Sequence, residues 1–190
     1  MKKILIAVIT ILFFVGNSWA GPFGTNMGDK IENYEKLVKV APDIYMTGVP
    51  PQKHNDFFEY RLIIPEKYGL VEIIAISNPI TNDEYGDKTR LLFDKILLQL
   101  RKKYGKEKNL YDFLKNGSIW KEDKYWSEAI KRKERVYSAF WKIKNNEDKI
   151  SGILLNVVSF RDQNVVMLSY EYENAEKYFQ EKNDIESEKL

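Results

Sequence analysis

Few side chains in this chain could do chemistry, and their types narrow what is open to them. Cysteine is absent and His54 is the only histidine in 190 residues. That excludes disulfides, thiolate metal sites, a cysteine nucleophile, a lipid-modified cysteine and histidine-rich metal centres. A serine or threonine nucleophile needs a base within reach. Only His54 could serve; it follows Pro50-Pro51 in a loop, and no Gly-x-Ser-x-Gly elbow surrounds any serine. His54 is therefore read as a loop or binding residue. Asp112, Glu122 and Asp123 lie among Tyr111, Trp120, Tyr125 and Trp126. Such a mixture can stack on sugar rings and run two-carboxylate glycoside hydrolysis; the plainer reading is helix caps beside core aromatics. Asn82-Asp83-Glu84-Tyr85-Gly86-Asp87 has calcium-loop composition but lacks the alternating acids and distal glutamate of an EF-hand loop. It reads as a turn into a helix cap. No phosphate-cradling glycine loop or dinucleotide fingerprint occurs, so neither cofactor nor metal is expected.

The elements that must position these residues follow from period and punctuation. Lys2 and Lys3 precede the apolar run Ile4–Val15, and Ser18-Trp19-Ala20 offers small residues at the −3 and −1 positions of a cleavage site. Twelve residues span only about 18 Å as a helix, short of a ~30 Å hydrocarbon core. Residues 1–20 are expected to be an export signal cut after Ala20, leaving a periplasmic or secreted protein with no stable transmembrane segment. Asp29 with Glu32 resembles a capping box, and Ile31, Tyr34, Leu37 and Val38 share a helical face, which predicts a short helix ended by Pro42. Strands are expected at 44–49, at 58–64 by alternation and at 70–76 as an apolar run. Asp87 is expected to cap a helix striped by Leu92, Phe93, Ile96, Leu97, Leu100 and Tyr104, with Gly105 closing it. Asp112–Leu114 reads as a turn and 122–133 as a helix burying Trp126 and Ile130. Strands follow at 137–143, 150–160 and 166–172, then a tail from about 174, helical at first and charged at its end.

The expected fold is thus α+β: an antiparallel sheet of about six strands with helices on one face, in two helix-plus-three-strand halves. No linker separates the halves, so 21–190 reads as one domain. Hydrophobic residues are 44% and charged residues 31%, a globular balance. Thirty basic against 28 acidic residues, with Lys2 and Lys3 in the export segment, leave no basic surplus and disfavour nucleic acid as a partner. Charge is uneven: Arg101–Arg135 holds 12 basic and six acidic residues. Arg101, Lys102, Lys131 and Arg132 there could meet an anionic surface, such as phospholipid, lipopolysaccharide or an acidic protein, although screening over ~8 Å weakens so diffuse a patch.

Gly21-Pro22-Phe23-Gly24 with Met27-Gly28, Val49-Pro50-Pro51 with His54 and Phe57, Tyr85-Gly86-Asp87, Lys103-Tyr104-Gly105, Asp112-Phe113-Leu114 and Gly117-Ser118-Ile119-Trp120 form an ordered set over most of the chain after residue 20. In order and spacing they resemble an uncharacterised family of small exported bacterial proteins. That family carries Gly-Leu-Cys where this chain has Gly69-Leu70-Val71, a departure that removes the thiol. The resemblance implies export and a single domain, and no catalytic residues. The function expected is that of a non-enzymatic binding or accessory protein, including an inhibitor or immunity type, with His54, Phe57, Trp120, Tyr125 and Trp126 as candidate contact residues. A wall- or glycan-acting hydrolase is the alternative.

Overall fold

Eight antiparallel strands form one sheet in the order β1-β2-β3-β4-β8-β7-β6-β5. The architecture is that of a computed structural model, which describes residues 21–188. The strands are β1 (Val38–Ala41), β2 (Ile44–Thr47), β3 (Phe57–Ile63), β4 (Glu72–Ser77), β5 (Asn109–Leu114), β6 (Arg135–Lys142), β7 (Ile150–Phe160) and β8 (Gln163–Tyr172). The helices are α1 (Asp87–Tyr104), α2 (Trp126–Lys131) and α3 (Ala175–Ser187). The export segment expected over 1–20 lies outside the described residues.

The α+β class stands, but the six-strand sheet does not. Each half is a four-stranded meander followed by a helix, β1 to α1 and β5 to α3, and the halves join antiparallel where β4 meets β8. The two added strands are the outermost ones. Val38–Ala41, assigned from sequence to a helix, is edge strand β1, and of that expected helix Ile31–Asn33 alone makes a 3₁₀ turn. Asn109–Leu114, assigned to a turn, is edge strand β5, paired from Asn109↔Phe140 to Leu114↔Arg135. The expected helix over 122–133 shrinks to a 3₁₀ turn at Asp123–Tyr125 and the six residues of α2.

One face of the sheet carries the core. Tyr60, Leu62, Ile73, Ala75, Ala139, Trp141, Leu155, Leu168 and Tyr170 project from alternate positions against Phe93, Ile96, Leu97 and Leu100 of α1 and Trp126 and Ile130 of α2. Over the β3 side of this face the cover is the N-terminal segment. The Phe23 ring meets Phe57, Tyr60 and Tyr170 at 5.8, 5.0 and 5.8 Å. Thr25 lies 2.7 Å from the Tyr172 hydroxyl, which also donates to the Thr25 carbonyl. Helix α3 does not join this layer. Ala175 and Tyr178 pack on Ile63 and Val71 in a separate cluster, and Ile63 points opposite to its neighbour Leu62. The helices therefore do not all cover one face, and most of the second sheet face has no helix on it.

Candidate functional site

A groove of about 610 Å³ is built from three connections. They are the β4–α1 loop (80–84), the segment entering α2 (120–131) and the β7–β8 turn (162–164). Its volume falls within the range of small-ligand pockets. Asp83 fixes the first wall. Its carboxylate accepts from the Lys88 and Thr89 backbone N–H groups and from the Thr89 hydroxyl at 2.7–2.9 Å. Burial opposes ionisation of Asp83, yet these bonds from Thr89 and Lys88 outweigh it and hold its carboxyl below the usual range. Asp83, not Asp87, thus caps α1, while Gly86 turns the chain with a positive φ of 77°. The same loop grips α2: the Ser127 hydroxyl donates to the Asp83 carbonyl and the Ser127 N–H to the Glu84 carbonyl.

The second wall is aromatic. Trp120 and Tyr125 are half-buried, edge to face at 5.4 Å. Lys124 lies 4.8 Å from the Tyr125 ring centroid and pairs with Glu122. At the floor, Asn164 is 2% exposed and joined to Ile80 by an isolated bridge. Its Nδ2 donates to the Ser127 carbonyl at 3.4 Å, while its Oδ1 is buried with no partner. A buried amide oxygen without a donor costs about 1–3 kcal/mol. Glu84 and Asp162 add exposed carboxylates, whereas Lys131 is tied to Glu128.

The contact residues expected from sequence divide. Trp120 and Tyr125 meet in the groove. Trp126 is 2% exposed and belongs to the core, where its ring fills the space a side chain at Gly86 would need. Phe57 is also 2% exposed and core. His54 lies apart from the groove, on a small cavity of about 110 Å³. Its Nδ1 accepts from the Asp56 N–H and its backbone N–H is bonded to the Tyr60 hydroxyl. Such bonding is that of a loop residue. The hydrolase acids do not assemble: Asp112 pairs with Arg135 at 2.5 Å on β5, Glu122 pairs with Lys124, and none of Asp112, Glu122 or Asp123 lines the groove. Arg101, Lys102, Lys131 and Arg132 do not form one patch. The first two end α1, whereas α2 sits beside its start, and 18 helical residues span about 27 Å. Arg101 is also locked to Glu107 by two bonds of 2.6 and 2.7 Å, and Arg132 to Glu128.

Asn82, Asp83 and Asn164 were not among the expected contact residues. The Asn82–Asp87 stretch signalled only a turn, and Asn164 reads as a hairpin residue until Ile80 is seen to bridge to it. Among the described residues, no group of three or more His, Asp or Glu is placed to hold a metal ion, and no helix is long and apolar enough to cross a membrane. Comparison with known proteins finds no matching family model, no matching curated protein and no matching solved structure.

Proposed function

We propose that this protein is an exported, non-enzymatic binding or accessory module, and that its groove takes a small uncharged ligand rich in hydroxyl or amide N–H donors, such as a saccharide. The observation that carries the reading is the half-buried, edge-to-face Trp120–Tyr125 pair in a groove that Asn82, Glu84 and Asp162 also line. Ring faces take up the apolar face of a sugar, while carboxylates and amide oxygens receive its hydroxyls. The groove suits an anion poorly, because Lys124 and Lys131 are each already paired with a glutamate.

The experiment is a fluorescence titration of residues 21–190 with β-linked glucose and N-acetylglucosamine oligomers. Binding is expected to perturb tryptophan emission and to fall at least about tenfold in Trp120→Ala or Tyr125→Ala, both partly exposed rings whose loss leaves the core intact. No saturable change with any oligomer, or equal affinity in both variants, defeats the saccharide reading. Shortened oligomers after incubation would instead identify a hydrolase. Export is checked separately: protein from bacterial cells carrying the full-length sequence should begin at Gly21, and a retained Met1 would refute cleavage.

A further inference from the structure

The sheet has two open edges, and they are treated differently. Edge strand β1 has four residues, a register shift between Lys39 and Ala41 and a lysine in its middle. These are the usual devices that keep an edge from recruiting another strand. Edge strand β5 has none of them. Its six residues pair with β6 in unbroken register, and Leu110, Tyr111 and Phe113 are 49%, 44% and 46% exposed. Its single acid, Asp112, is neutralised by Arg135.

Around this strand the chemistry is one-signed. Lys106 and Lys108 flank its start, Lys115 follows its end, and the Lys115 N–H donates to the Glu134 carbonyl next to Lys133. All four lysines are exposed and have no ion-pair partner among the described residues. On the uncovered sheet face Tyr111 and Phe113 stand edge to face at 6.2 Å, opposite Ser138 and Val136 of β6. Where β5 ends at Lys115 there is a cavity of about 380 Å³, lined in part by Lys115, Lys133, Arg135 and Asn156. The Arg135 Nε and Asn156 Oδ1 in its wall are buried without partners.

From this juxtaposition we infer that β5 is a docking strand for an extended, acidic segment of another protein. The segment adds a ninth strand to the sheet, lays apolar side chains on Tyr111 and Phe113, and sets a carboxylate between Lys115 and Lys133 at the end of β5. Backbone pairing supplies affinity and the lysines supply selection. A second copy of this chain fits less well. Antiparallel pairing of two β5 strands about their centres would set Lys108 of each near Lys115 of the other, and like charges across strands repel.

The test starts with a random decapeptide library selected on immobilised residues 21–190. Enriched peptides should alternate apolar residues and carry Asp or Glu near their ends. One of them, synthesised, should protect the Leu110–Leu114 amides from hydrogen exchange. It should weaken at least about tenfold in Lys115→Glu/Lys133→Glu and also weaken as salt rises. Both lysines are exposed, so unchanged thermal melts will show that the variant folds. A Tyr111→Lys variant, which leaves Lys115 and Lys133 in place, should lose binding as well. Failure to enrich any peptide, enrichment of basic or uncharged peptides, or protection elsewhere overturns the inference. So does protection of β5 in the free protein with dimerisation, or on anionic phosphatidylglycerol vesicles without peptide.

Discussion

Glu72 is the residue at which acid–base behaviour and stability meet. It faces Glu171 directly across the β4–β8 junction. Burial, and then the charge of Glu171, push its carboxyl up to about 7 from an ordinary 4.5, although a bond to Ser169 pulls the other way. The folded state therefore holds this proton more tightly than the unfolded chain does. The favourable contribution is complete below about pH 4.5 and is lost as pH rises through 7. Glu72→Gln should raise the melting temperature at pH 8, leave it nearly unchanged at pH 4, and flatten the slope between. An equal shift at both pH values would show that the effect is packing and not titration. Glu107 works in the opposite sense. Its bonds to Arg101 lower its carboxyl, so its contribution is present at neutral pH and fades on acidification. At this scale the sequence was half legible. Trp120, Tyr125 and Phe57 are alike as aromatic residues, and only the packing divides them into two groove rings and one core ring, whereas the helical period already turned Trp126 inward. In an irregular segment such as 117–125 no period exists to tell the two apart.

Among the elements, α1 was readable because its apolar stripe from Leu92 to Tyr104 runs through more than three turns and stops at Gly105. Strand β5 was not, because its residues are exposed on both faces and leave no alternation. Strand β1 misled because Val38 extends an i, i+4 pattern begun by Tyr34, and four residues are too few to show a period of two. The start of α1 was placed correctly while its cap was assigned to the wrong aspartate. Asp83 is four residues upstream and reaches the helix only because Gly86 turns back at positive φ. Two predictions belong here. Asp83→Ala removes three hydrogen bonds from the start of α1 and should cost about 1–2 kcal/mol of stability; under the proposed function it also weakens saccharide binding, as the loop it anchors is a groove wall. Gly86→Ala places a Cβ inside the Trp126 indole at a φ only glycine adopts freely. It should cost roughly 3 kcal/mol, seen as a fall of about 10 °C in calorimetry. Wild-type stability in either variant would contradict the loop geometry.

At the level of the whole molecule, the mixture of helix and antiparallel sheet and six of the eight strands were legible from sequence, while the two edge strands and the junction of the halves were not. Nothing local indicates that β4 and β8, far apart in the chain, lie side by side with five residue pairs. That junction predicts an exchange pattern. Amides of β3, β4, β7 and β8 should be the slowest to exchange, and those of β1, β5 and the second half of α3 the fastest. A β5 as slow as β8 in the free protein would mean that the edge is covered. The position of β8 has one more consequence. The strand made last lies in the middle of the sheet, and Tyr172 on it closes the latch with Thr25, near the start of the described residues. A ribosome-bound fragment ending before residue 163 would therefore hold two half-sheets with bare inner rims and nothing between them. Such a nascent polypeptide cannot join its two half-sheets until nearly all of it has been synthesised.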